Sequence, residues 1–452
     1  IGAGPSGYYA AGALIAQKDV NVSVDIFDRL PTPFGLVRYG VAPDHDKIKS
    51  VIRVYEKISS DPRVRFFGNV AFGADLLHDD VRQHFDQIIY AYGSSSDRKL
   101  GIPGEELRGA YSATEFVGWY NSHPDYVDLS FDVATAQNAV VVGNGNVAMD
   151  VVRMLATPAA ELATTDIADH ALTVLRQSAI QKIYMLGRRG PAQAAFTNPE
   201  LRELGVLADA DVIVSAADLD LDPASLAAAQ SDKSIAQNVE TLRQYARRAP
   251  AGRPRQIILR FLTSPVELTG VNGHVAALKI ERNELRPNAD GTLAARGTSV
   301  YETLPVDIIF RAIGYKGLPM PGVPYDTRSG TIPNQQGRVM DPQTKQILPG
   351  EYVVGWAKRG PTGVIGTNKA DAAETVKLLL HDVPTITPVA DVAADPQAFV
   401  NFLRRQQPSY VTYADWQRLD RIEVERGKPQ GRPRVKFAQV EEMLDAVRDG
   451  KT

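Results

Sequence analysis

Short apolar runs that end in glycine turns recur along this chain, each leading into a stretch with helical spacing. The first turn, Gly2-Ala3-Gly4-Pro5-Ser6-Gly7, precedes a predicted helix over residues 7–18 and a predicted strand over 22–27 that stops at Asp28. The same order returns complete further on. An apolar strand over 138–142 runs into Gly143-Asn144-Gly145-Asn146-Val147-Ala148, and helical spacing continues through 149–155. The strand expected next, over 183–186, ends in Gly187-Arg188-Arg189. Two further apolar runs, over 87–93 and 307–314, each close on a glycine and pass into a segment rich in Pro and Gly. Strands of that kind close a nucleotide-binding domain and hand the chain to its neighbour, so boundaries are expected near Ser96 and Gly314.

These patterns predict an α/β protein with two Rossmann-like dinucleotide-binding domains, one inserted into the other. Residues 1–96 and 315–383 make the outer domain and 97–314 the inserted one. Residues 384–452 read as a C-terminal extension with helical patches such as 440–447 and no assignable chemistry. Only Ile1 is present of the strand expected ahead of the first turn, so the sequence is expected to be a trimmed piece of a longer chain.

The glycines have mechanical roles. Gly2 permits the tight turn, Gly4 lets a pyrophosphate approach the backbone, and Gly7 lets helix and strand pack closely. Phosphate then lies against the helix N-terminus, where free N–H groups and the dipole favour an anion. Asp28 stands about 20 residues past the last glycine, the place from which an acid binds ribose hydroxyls. In the second copy that place holds Arg188 and Arg189. A carboxylate there repels a 2′-phosphate and two guanidiniums pair with it, so this site is expected to take NADPH in preference to NADH. The plainer reading of the two arginines is a solvated turn.

Composition narrows the chemistry. The chain has no cysteine, so it holds no Cys-ligated iron–sulfur cluster or zinc site of its own and runs no dithiol relay; no metal site is expected, and redox work falls to bound organic cofactors. With 50 basic and 53 acidic side chains, the net charge of −3 gives no global attraction for nucleic acid or an anionic membrane. The long uncharged stretches, such as 133–149, are interrupted by Gly, Asn and Gln, so no membrane span is expected, and a cytoplasmic location is.

Several strings together resemble the adrenodoxin reductase family of NADPH–ferredoxin reductases, flavoproteins of the glutathione-reductase-like fold. They are Leu30-Pro31-Thr32-Pro33-Phe34-Gly35-Leu36-Val37-Arg38, Gly40-Val41-Ala42-Pro43-Asp44-His45, the second glycine turn, Gly187-Arg188-Arg189-Gly190-Pro191, and the run from Gly355-Trp356-Ala357-Lys358-Arg359-Gly360 to Thr367-Asn368. The likeness runs from residue 1 to about 380. It implies FAD at the first turn, with Gly2, Gly4, Ser6 and Gly7 at the pyrophosphate, Asp28 on the ribose, Leu36 and Val70 against the nucleotide, and Trp356, Gly363, Val364 and Ile365 at the ring system. Asp28 departs from the Glu common in the family, yet a shorter carboxylate still reaches a ribose. The resemblance gives NADPH/NADP+ the turn Asn144, Gly145, Asn146 and Val147, with Arg188 and Arg189 on the 2′-phosphate and further contacts from Arg98, Gly363 and Glu200. A helix expected to start near Asn368 would aim its positive end at the pyrimidine side of the flavin.

Three residues are candidates for proton handling. His45 and Asp150 match a pair that the family associates with a proton route, chemically sensible because His titrates near neutral pH and a carboxylate orients it. Glu200 matches a carboxylate near the nicotinamide end. Taken alone, His45 reads as a turn residue, and Asp150 and Glu200 as ordinary first-turn helix acids.

The resemblance implies hydride transfer from NADPH to FAD and then single-electron transfer to ferredoxin. Arg243, Arg247, Arg248, Arg253, Arg255 and Arg260 stand in a stretch without any acid, 241–260. Arg243 and Arg247 share a helix face, a patch suited to an acidic ferredoxin or, more plainly, a solvated face. Rival readings are the flavin-linked NADPH-oxidising subunit of a larger oxidoreductase, as in glutamate synthase, and a non-catalytic NADPH-sensing module. A dithiol-forming reductase of related fold is excluded by the missing cysteines.

Overall fold

The computed structural model describes residues 1–390 and 395–449; the remaining residues of the C-terminal extension, 391–394 and 450–452, lie outside it. The chain forms two compact units. One comprises residues 1–96, 121–124 and 314 onward, and the other residues 97–120 and 125–313.

The first unit begins with the helix Pro5–Ile15, two residues ahead of the predicted start because Pro5 sits at the first helical position, where its fixed φ suits the helix and its missing N–H costs nothing. The strand Val24–Phe27 pairs in parallel with Val64–Gly68, and Asp25 faces Arg65 across the pair in a 2.5 Å salt bridge. Val411–Thr412, from the C-terminal extension, adds an antiparallel edge to that sheet. A second sheet runs Asn334–Gln335, Arg338–Met340, Ile347–Val353, Ile88–Tyr90. Ile1 and Gly2 tie the two together: Ala91 N donates to Ile1 O and Gly2 N donates to Phe27 O, at 2.7 and 2.8 Å.

The C-terminal extension is part of this unit's core. Phe399 and Leu403, on the helix Pro396–Gln406, pack with Phe27 and Phe67. Trp416 and Leu419, on Tyr413–Gly427, and Met443 and Val447, on Val440–Asp449, pack with Tyr8, Phe34 and Tyr55. Each such side chain contributes about 1.5–3 kcal/mol by leaving water. The helical patch expected over 440–447 is thus a packed element of the unit.

The second unit is built on a six-stranded, wholly parallel sheet in the order Ala110–Ser112, Ile308–Arg311, Asn138–Val142, Lys182–Leu186, Arg255–Arg260, Ala210–Val214. The central strand has Ala139, Val140, Val141 and Val142 buried, as a strand covered on both faces requires. Behind it the helix Asn146–Ala156 is buried from Ala148 to Ala156. Three long antiparallel strands, Thr263–Val271, His274–Pro287 and Leu293–Pro305, form a separate sheet. Among the described residues no helix is long and apolar enough to cross a membrane.

Candidate dinucleotide sites

In the first unit the glycine turn is closed on two sides and open on one. Gly2 has φ +107°, and a Cβ there would lie 2.6 Å from Ala91 O; a Cβ on Gly7 would lie 2.2 Å from Gly2 O. At Gly4 an added Cβ meets nothing within 4 Å. Crowding at the outer glycines and open space at the middle one is the form of a backbone cradle for pyrophosphate. Asp28 braces the turn: its Oδ2 accepts from Ala3 N and its Oδ1 from Leu30 N, both at 3.0 Å. Burial pushes this carboxyl up, against the pull of those two N–H groups. Each oxygen keeps a lone pair, so the ribose role predicted for Asp28 stays open beside the bracing one.

Chain-distant residues complete this turn. Ser6 Oγ donates to Asn368 Oδ1 at 3.1 Å, and Arg359 Nη2 donates to the same oxygen at 2.8 Å. Gly355 has φ +70°, and a Cβ there would fall 2.0 Å from Ser6 Oγ. Asp371 accepts from Gly355 N at 2.6 Å and pairs with Lys358 and Arg359 at 3.0 and 3.1 Å. The helix Thr367–Asp382 starts where expected, with Val364 exposed just ahead of it. Trp356 stacks on Tyr315 at 5.3 Å and its Nε1 donates to Thr362 O. Leu36 is exposed, whereas Val70 is buried with its side chain in the core and its N–H bonded to Asp28 O.

In the second unit Gly143 has φ +144°, and a Cβ there would lie 2.2 Å from Ala312 O, while Gly145 again faces open space. Further contacts are made by one nearby segment. Asn144 O accepts from Ala195 N and Phe196 N at 2.8 and 3.0 Å, and Asn146 Oδ1 accepts from Thr197 N at 2.8 Å. That locks the start of the helix Asn198–Leu204, which carries Glu200, onto the turn. Arg188 and Arg189 follow the neighbouring strand with their backbone carbonyls tied to Asn283 Nδ2 and Leu262 N. Among the described residues neither guanidinium has an ion-pair partner, which suits a pair held for a phosphate.

Similarity to known proteins bears on the same residues. Residues 1–186 match the pyridine nucleotide-disulphide oxidoreductase family. The chain is 47% identical to the NADPH-ferredoxin reductase FprA of Mycobacterium leprae over 98% of this chain and 96% of that one. It is 39% identical to the mitochondrial NADPH:adrenodoxin oxidoreductase of Arabidopsis thaliana over 99% and 94%. The structure superposes on Mycobacterium tuberculosis FprA in complex with NADPH with a TM-score of 0.93 at 46% identity, covering 99% and 98% of the two chains. This chain belongs to the NADPH-ferredoxin reductase family.

The other residues singled out on family grounds divide between the units. His45 lies in the first unit, just ahead of the short helix Asp46–Lys49. Asp150 and Glu200 lie in the second, both buried. Asp150 is no solvated helix acid: it bonds Arg153 at 2.5 Å, and Arg153 also lies 3.5 Å from Glu203. Burial pushes the Arg153 guanidinium down, opposed by Glu203 and Glu200. Arg98 is exposed in the second unit.

The acid-free arginine stretch is less free in space than in sequence. Arg253 reaches the carbonyls of Leu207 and Ala210 and lies 3.9 Å from Asp211, and Arg260 pairs with Glu302 at 2.6 Å. Arg248 rests over the Tyr245 ring. Arg243 and Arg247 stay on one face of the helix Lys233–Arg247, half-buried and exposed respectively. Sequence reasoning gave no role to Arg359 or Asp371, and Asp371 carries no local signal, since it lies a turn inside an otherwise ordinary helix.

Proposed function

We propose that this chain is an NADPH–ferredoxin reductase that holds FAD at the first glycine turn and NADPH at the second. The observation that carries the reading is the pairing of two open glycine cradles with opposite partners, a partly buried carboxylate at one and, among the described residues, two guanidiniums without an ion-pair partner at the other. Bound FAD supplies the conversion of NADPH's two electrons into single-electron transfer.

The chain's own residues bind, orient and handle protons. Gly4 admits the FAD pyrophosphate to the backbone and Asp28 holds both turn and ribose. The positive end of the helix Thr367–Asp382, presented through Gly363, Val364 and Ile365, favours negative charge on the cofactor's pyrimidine side. Asn144, Gly145, Asn146 and Val147 receive the NADPH pyrophosphate, and Arg188 and Arg189 bind its 2′-phosphate, with Arg98 a further contact. His45, Asp150 and Glu200 carry the proton handling, with Arg153 bonded to Asp150. Ferredoxin, an acidic iron–sulfur partner, docks at Arg243 and Arg247 with Arg248 beside them, in a cytoplasmic setting.

Anaerobic stopped-flow mixing tests this reading. NADPH should bleach the flavin absorbance and NADH should do so far more slowly, and ferredoxin should restore the colour. A protein that takes up no flavin on reconstitution, or that reacts equally with both nucleotides, defeats it.

A further inference from the structure

The segment between the first glycine turn and the helix Leu36–Tyr39 is held in an unfavourable shape. Phe34 has φ +83°, a region that bulky residues avoid, and Gly35 follows at +49° with its Cβ position only 3.0 Å from Gly4 Cα. Phe34 N donates to Ala3 O at 2.7 Å, so this strained pair is pressed onto the middle of the turn. Such a conformation persists only where its surroundings over-determine it.

Phe34 packs against Tyr8 and Tyr55, and the rest of its surroundings comes from the C-terminal extension. Glu423, fully buried on the helix Tyr413–Gly427, accepts two bonds from the Arg38 guanidinium at 2.9 and 2.5 Å and a third from Phe437 N at 2.9 Å. Lys436 Nζ donates to Arg38 O at 3.2 Å, gripping the same residue by its backbone. Trp416 lies under the Arg38 guanidinium at 5.0 Å and meets Phe34 edge-on at 5.8 Å. A bidentate pair with both ions buried is poor value for stability alone, since apolar groups of like volume do as well. What it adds is direction.

We propose that the C-terminal extension is a clamp on the FAD turn, with Glu423, Lys436 and Trp416 as positioning residues that hold residues 34–38 against Gly4. The proposal rests on the assignment of FAD to the first turn.

The test compares FAD affinity, read from the quenching of flavin fluorescence during reconstitution, with the melting temperature of the flavin-free protein. Glu423→Gln and Lys436→Met should each weaken FAD binding, the former by about tenfold or more. The double variant Arg38→Met, Glu423→Met should regain much of the melting temperature, because methionines fill the space, but not the FAD affinity, because they carry no directional bond. Its residual bound flavin should show an altered visible circular dichroism. Glu351→Gln disrupts another fully buried carboxylate of the same unit, bonded to Arg82 and Tyr90, and serves as the control for general destabilisation. FAD affinity restored in the double variant, or lost equally in Glu351→Gln at matched melting temperature, overturns the clamp. Unchanged FAD affinity in Gly4→Val instead overturns the site assignment beneath it.

Discussion

The two glycine turns share a sequence pattern and differ in what finishes them. The second is completed by residues 195–197, just past the next strand, and by the Ala312 carbonyl, which crowds Gly143. The first is completed by Gly35, then by Gly355, Arg359 and Asn368 more than three hundred residues away, and finally by the C-terminal extension. The second cradle draws on few remote groups, whereas the first exists only once its unit's sheets and helices have all packed.

Single changes at the crowded glycines should break that comparison most sharply. Gly355→Val puts a branched side chain against Ser6 at positive φ, and Gly143→Val does the same against the Ala312 carbonyl. Each should cost its own unit about 2–4 kcal/mol. Absorbance spectra and NADPH titrations should then part, the first variant losing flavin and the second losing NADPH affinity while staying yellow. Next in size, Arg188→Ala should raise the NADPH KM by about thirtyfold, the equivalent of about 2 kcal/mol for a charge-assisted contact, with little change for NADH.

A smaller effect is expected from charge reversal on the arginine helix. Arg247→Glu should slow ferredoxin reduction severalfold at low salt and leave ferricyanide reduction untouched, whereas the same change at Arg260, already paired with Glu302, should lower stability more than partner rate. The smallest concerns the far end of the helix that serves the first turn. Hydrogen bonds from Arg338 hold the Asp382 carboxyl down to about 2. A carboxyl lowered on folding stabilises the protein above its ordinary range and loses that contribution as pH falls through the lowered value. Arg338→Gln should therefore move the acid loss of helix signal upward toward about pH 4, without altering NADPH affinity.

The local parts of this molecule were legible in the sequence. The strand Asn138–Val142 and its turn stand where the apolar run and glycines put them, and Arg188 and Arg189 follow their strand as predicted. The parts that need partners from elsewhere were not. Asp150 reads as a surface acid until Arg153 and the packed helix enclose it. The arginine stretch reads as uniformly basic until Asp211 and Glu302 arrive from other strands. The extension reads as an appendage because its Phe399, Trp416 and Glu423 meet complementary partners, Phe27, Phe34 and Arg38, that lie in the first ninety residues.

The sequence by itself determined two dinucleotide turns, their strand–turn–helix order, the opposite chemistry of Asp28 and the Arg188–Arg189 pair, and the exclusion of any thiol chemistry, because each rests on residues within one turn or one strand of each other. Only the tertiary structure decided that Asp28 braces its own turn, that Gly355 and Asn368 close on Ser6, and that Glu423 grips Arg38. Those bonds join chain-distant groups whose geometry is set by packing, and hydrogen bonds and close backbone approaches leave no periodic trace in the residues that make them.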